Sequence, residues 1–133
     1  MKIFLVEDSP EITERLSDMI SEIPGAEVVA IAESQAPALA GIMNAGPDLV
    51  ILDLHLANGS GMDALRQIKI MRPEIKVIVF TAFAYSQYRK KCFELGADYF
   101  LDKTQGIGKL ALLLADIAGM PARTNDVHRM KGA

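Results

Sequence analysis

The sequence predicts a doubly wound α/β domain: a (βα)5 unit whose parallel five-stranded sheet carries helices on both faces. Three observations lead there. Five short apolar runs alternate with five stretches of helical periodicity. The central run, Leu49 to Leu52, is continuously apolar, as a strand buried on both faces must be. The length, 133 residues, suits one domain with one core.

The elements come in order along the chain. Ile3 to Val6 is the first strand. Ser9-Pro10 then opens a helix, with a hydroxyl cap and a proline at the first helical position, where its missing N–H costs nothing. Ile12, Leu16, Met19, Ile20 and Ile23 line one side of that helix, charged residues line the other, and Pro24-Gly25 ends it. Val28 to Ala32 reads as the second strand, and Ser34 to Ala45 as a helix of small residues closed by Gly46-Pro47. After Leu49 to Leu52 comes a glycine-bearing loop, Asn58 to Gly61, and a helix over Met62 to Met71. Lys76 to Phe80 is the fourth strand, Ser86 to Leu95 a helix, Tyr99 to Leu101 a short fifth strand and Ile107 to Ala118 the last helix. Pro121 to Ala133 is polar and aperiodic and reads as a tail.

Composition narrows the function. Half the residues are hydrophobic, 23% are charged and the formal net charge is -3, which gives no electrostatic case for nucleic acid or an anionic membrane as partner. No segment approaches the roughly 18 apolar residues of a membrane span, and the chain starts in strand-like sequence rather than a signal peptide. Cys92 is the one cysteine and there are two histidines, so neither an internal disulfide nor a zinc cluster is expected. The expected location is cytoplasmic.

In an open parallel sheet, ligands bind beyond the carboxyl ends of the strands. The first strand ends in Glu7-Asp8, the third in Asp53, the fourth in Thr81 and the fifth in Asp102-Lys103. Asp8, Asp53 and Thr81 each have a plain use as a cap of the next helix or turn, and Lys103 as a solvated lysine. Capping alone does not explain such residues at the matching place in four strands. Gathered at one edge, the carboxylates repel one another unless a cation sits among them, and a few open oxygen ligands suit magnesium. A carboxylate there can attack phosphorus while a lysine and a hydroxyl hold the remaining phosphoryl oxygens. This is the chemistry of an acyl-phosphate site.

Taken together, "VEDSP", "LVILDLHL", "VIVFTA" and "GADYFLDK" resemble a response-regulator receiver domain of two-component signalling. The resemblance covers residues 1–119, leaving 120–133 as a C-terminal tail or the start of a linker. It implies the flavodoxin-like strand order 2-1-3-4-5. It makes Asp53 the phosphoacceptor, with Asp8 and Asp53 binding Mg2+ directly, the His55 carbonyl completing the protein ligands and Glu7 acting through water. Lys103 then pairs with a phosphoryl oxygen, Thr81 moves toward the phosphoryl group, and Phe100 turns inward behind it as the switch aromatic. The implied partners are a histidine kinase or phosphotransfer protein and an output partner or a DNA-binding domain missing from this chain. A homodimer through the fourth helix, fifth strand and fifth helix is also implied. The chain catalyses only its own phosphorylation and dephosphorylation in this reading. It stands alone or forms the receiver part of a longer DNA-binding regulator.

Three departures bear on loop geometry. Thr104 comes after the lysine where relatives often have a cis-proline, which leaves the isomer of that bond open; Ala57 replaces a usual proline; and the switch aromatic is Phe rather than Tyr. Two other ligand classes suit the architecture. "DLHLANG" resembles the Asp-x-His loop of cobalamin-binding domains, but Asn58 stands where that motif wants glycine and the later Gly-Gly pair is absent. A flavin mononucleotide site wants a Gly- and Ser/Thr-rich loop after the first strand, where this chain has carboxylates.

Further expectations concern the surface. Cys92 reads as packed, and Arg89-Lys90-Lys91 as a solvated helix face. The resemblance also implies that His55 and Phe83, each two residues beyond a site residue, flank the path of a hydrolytic water. Ala111, Leu112, Ala115 and Ala118 form an outward apolar strip on the last helix.

Overall fold

The computed structural model describes residues 1–119; the expected tail, residues 120–133, lies outside them. The elements are β1 (Lys2–Val6), α1 (Pro10–Ser21), β2 (Glu27–Ala32), α2 (Gln35–Ala45), β3 (Leu49–Leu52), α3 (Gly61–Met71), β4 (Lys76–Thr81), α4 (Ser86–Glu94), β5 (Tyr99–Asp102) and α5 (Gly108–Ile117). The five strands form one parallel sheet in the order β2-β1-β3-β4-β5. The sequence expectation for fold and strand order therefore holds, with boundaries off by a residue or so. The structure adds one element to those expected, a short 3-10 turn over Lys103–Gln105.

Side chains alternate across the sheet and fill two layers. Phe4, Val6, Val50, Leu52, Val77 and Val79 face the layer that also holds buried residues of α2, α3 and α4. Ile3, Leu5, Leu49, Ile51, Ile78 and Phe80 face the layer completed by Leu16 and Ile20 of α1 and Leu110, Leu113 and Leu114 of α5. All four residues of β3 are buried, so the central strand is rigidly held and the loop beyond it has a fixed starting point.

Register then levels the strand ends. Val6 pairs with Leu52, so Glu7 and Asp53 leave neighbouring strands side by side. Thr81 pairs with Asp102, and Lys103 lies one step beyond. Local chemistry shapes the exits. Ser9, not Asp8, caps α1, its Oγ accepting from Ile12 N–H at 3.3 Å, which leaves the Asp8 carboxylate out of the capping role weighed for it. Asp102 caps the turn after β5 by accepting from Thr104 N–H at 2.9 Å, and so does not join the residues at the sheet edge.

Candidate functional site

Among the described residues three polar side chains are buried, Glu7, Asp53 and Thr81, and all stand at the carboxyl edge of the sheet. A buried charge must be paired. Lys103 supplies the pairing, its Nζ lying 2.5 Å from Glu7 Oε1 and 2.7 Å from Asp53 Oδ2. The second oxygens are also used: Glu7 Oε2 accepts from Ser9 N–H at 3.0 Å, and Asp53 Oδ1 from His55 N–H at 3.3 Å. Thr81 Oγ1 accepts from Phe83 N–H at 3.1 Å. The turn-capping roles weighed for Asp53 and Thr81 are thus real, and for Asp53 the role coexists with its ion pair to Lys103.

Carboxylate oxygens of Glu7, Asp8 and Asp53 all come within 4.8 Å of one another. Three carboxylates face one ammonium, so the pocket keeps an excess of negative charge. Burial pushes the Glu7 carboxyl above its ordinary value, and the hydrogen bonds from Lys103 and Ser9 pull only partly against it. Burial pulls Lys103 the other way, but its hydrogen bonds to Asp53 and Glu7 outweigh that and hold the ammonium above its ordinary value. Lys103 therefore stays charged and acts as a tethered counter-ion. Hard oxygen donors, closely grouped and under-neutralised, fit a small divalent cation.

Residues 3–115 match the family described as the response regulator receiver domain. The chain belongs to that family. Over 102 residues the receiver is 38% identical to the sensory transduction protein LytT of Enterococcus faecalis, covering 76% of this chain and 41% of that protein. It is 27% identical over 117 residues to the transcriptional activator DevR/DosR of Mycobacterium tuberculosis, covering 88% of this chain and 54% of the relative. A two-component response regulator of the LuxR family from Aurantimonas superposes with a TM-score of 0.82 at 29% identity, covering 97% of this chain and 93% of that one. The chain spans about half the length, or less, of these curated relatives. Phosphorylation by a histidine kinase is the standard function of such receivers. No helix among the described residues is long and apolar enough to cross a membrane.

The two departures from proline acquire a physical meaning in this receiver. Ala57 N–H donates to Glu33 O at 3.1 Å, and Thr104 N–H donates to Asp102 Oδ1. Proline has no N–H and could make neither bond. Each loop is fastened by a hydrogen bond where relatives often use a ring. All peptide bonds of the described residues are trans, which answers the question left open at Lys103-Thr104.

Around the cluster, Phe100 is already turned inward, 2% exposed. The basic run on α4 needs correction. Lys90 and Lys91 are exposed as expected, but Arg89 is half-buried, with its guanidinium 5.5 Å from the Phe93 ring centre and 5.7 Å from that of Phe100. Its long stem lets a charged residue on a helix turn its head onto aromatic faces. Cys92 is fully buried, and burial raises its thiol to about 11. His55 and Phe83, each two residues beyond a site residue, meet with ring centres 5.4 Å apart and planes tilted by 53°. On α5, Leu112 is 41% exposed, whereas Ala118 packs partly against the core rather than extending the outward strip.

Proposed function

We propose that residues 1–119 form the working receiver unit and that Asp53 is its phosphoacceptor. The observation that carries this is the meeting of all three buried polar side chains of the described residues with one lysine at a single sheet edge. A core that hides polar groups only there is built around chemistry at that place.

The donor is a phosphohistidine of a kinase or phosphotransfer protein. One Asp53 oxygen forms the new O–P bond as the donor's P–N bond breaks, and the histidine nitrogen keeps the electron pair. Asp8, Asp53 and the His55 carbonyl, with Glu7 through water, would hold Mg2+, which would supply neutralisation of phosphoryl oxygens. Lys103 hydrogen-bonds one phosphoryl oxygen while its Glu7 contact keeps it in place. Thr81 exchanges its Phe83 N–H contact for a phosphoryl oxygen, and Phe100 lies behind it. These two residues thus link the charge event at Asp53 to α4 and β5, where the two states are read.

The output is an effector, or a domain in the remaining length typical of the relatives, engaged through α4, β5 and α5. Self-association uses the same face. Exposed Leu112 sits on that face, and Leu112→Glu weakens association there, read by sedimentation with and without phosphoryl donor. Intact mass after incubation with a small phosphodonor tests the acceptor itself. One phosphoryl group is expected on the wild type with magnesium and none on Asp53→Asn; equal labelling of the mutant would exclude Asp53.

A further inference from the structure

The loop from Asp53 to the start of α3 does not hold its shape alone. It is fastened to the start of α2 by a set of hydrogen bonds between segments far apart in sequence. Ala57 N–H donates to Glu33 O at 3.1 Å, and Gln35 N–H donates to Asn58 O at 3.0 Å. The Gln35 side chain adds two more: Oε1 accepts from Ser60 N–H at 2.8 Å and Nε2 donates to Gln67 Oε1 at 2.9 Å. Ser60 is the cap of α3 and bridges to His55 across the loop. Gly59 lies flush against this side chain. A Cβ on Gly59 would sit 2.5 Å from Gln35 Cβ and Oε1, and its φ of +86° also demands glycine.

We propose that Gln35 is a positioning residue for phosphoryl transfer. Its amide locks the loop that carries Asp53 at one end and presents the His55 carbonyl in the middle, and so tunes magnesium affinity and acceptor reactivity from α2. The inference rests on the phosphoacceptor reading given above. The amide suits the task because it accepts from the loop and donates to α3 at once, tying three segments with one rigid plane. Nothing else among the described side chains bonds Ser60 N–H. Once Gln35 is shortened, that group loses its protein partner, and the His55 to Ser60 bridge loses the bond that ties it to α2.

The test compares Gln35→Ala with Gln35→Glu. A glutamate keeps an oxygen for Ser60 N–H, and Gln67 can turn its amide over to donate to the other carboxylate oxygen, so Glu should rescue the function that Ala loses. The first measurement is amide hydrogen exchange of the 54–60 segment in metal-free protein. Roughly tenfold faster exchange is expected in Gln35→Ala, with β3 unchanged and near wild-type exchange in Gln35→Glu. The second is the magnesium concentration for half-maximal labelling by a small phosphodonor, expected to rise at least roughly threefold in Gln35→Ala and to recover in Gln35→Glu. A side chain that served only to start α2 would lower the urea midpoint and speed exchange in α2, with the magnesium dependence untouched; that result overturns the proposal. So does unchanged loop exchange. Should Gln35→Ala not fold, Gln67→Ala removes only the outer bond, and a magnesium requirement identical to wild type in that variant likewise overturns the proposal. A wild type that takes no label at all would instead refute the phosphoacceptor reading, and loop exchange alone would then decide whether Gln35 holds the loop.

Discussion

Gly61→Ala separates two physical forces of opposite sign. Gly61 is the first residue of α3, and its N–H donates to Leu54 O at 3.1 Å, closing the loop after Asp53. Alanine is the better helix former by up to about 1 kcal/mol, so propensity alone predicts a more stable protein. The contact geometry predicts the reverse. A Cβ on Gly61 would stand 2.0 Å from the Asp53 carbonyl oxygen and 2.6 Å from Leu54 Cα. Both obstacles are backbone, so no rotamer change relieves them, and the chain must move by about 1 Å or more. Overpacking of this kind costs typically 1–3 kcal/mol, and rigid backbone places it near about 3 kcal/mol. With a urea slope of about 1–3 kcal/mol/M, the midpoint should fall by roughly 1–3 M. One obstacle is the Asp53 backbone carbonyl; on the phosphoacceptor reading proposed above, a shift near 1 Å in the reacting residue can cost roughly a hundredfold in rate, so labelling by a small phosphodonor should slow by about that factor. Urea melts and timed intact-mass spectra supply both numbers. A midpoint at or above wild type would show that the loop accommodates a methyl group, and the packing argument would be wrong.

Three further outcomes are expected from other parts of the site. Phe83→Asn, which unstacks His55 and offers a hydrogen bond to water, should shorten the phosphorylated lifetime roughly tenfold, about 1.4 kcal/mol of barrier; an equal or longer lifetime counts against shielding by the ring pair. Lys103→Met should cost about 1–3 kcal/mol at neutral pH without metal, because two buried carboxylates lose their cation. The pH trend has a definite sign. Glu7 binds its proton more tightly folded than unfolded, so its contribution to stability falls as pH rises through its titration, whereas Lys103 contributes fully below its unfolded value of 10.5. Removing the lysine should steepen that fall, and magnesium should reduce it; a pH-independent difference between mutant and wild type would refute the coupling. Cys92, with its thiol at about 11 against an ordinary 9.0, carries roughly a hundredfold less thiolate at neutral pH, so alkylation should await unfolding and track the urea transition. Rapid labelling of the native protein would contradict its burial.

Much of the fold and site is legible because a parallel sheet buried on both faces writes itself as unbroken apolar runs, and each run stops where the sheet meets water. Glu7, Asp53, Thr81 and Lys103 stand at the ends of those runs and can be found there without knowing the register that brings them together. The division of labour between Asp8 and Ser9 is harder to read. Pro10 points to Ser9 as the cap, but Asp8 beside it is equally capping-competent, and the Ile12 N–H bond to Ser9 Oγ decides between them. Arg89 departs from expectation because charge does not by itself mean solvent. Phe93 lies four residues on, where a long side chain readily finds an aromatic face. Gln35 gives no local signal. Its partners, Ser60 and Gln67, are 25 and 32 residues away, and nothing in the periodicity of α2 distinguishes a glutamine that reaches across a loop from one in water.

The ion pair from Lys103 to Glu7 joins residues 96 positions apart. It is the last closure that the sheet makes, since β5 is the final strand of the sheet to leave the ribosome. A nascent chain lacking β5 has its acidic cluster but no tethered cation. In the proposed reading, competence to receive a phosphoryl group therefore arrives only with the finished sheet.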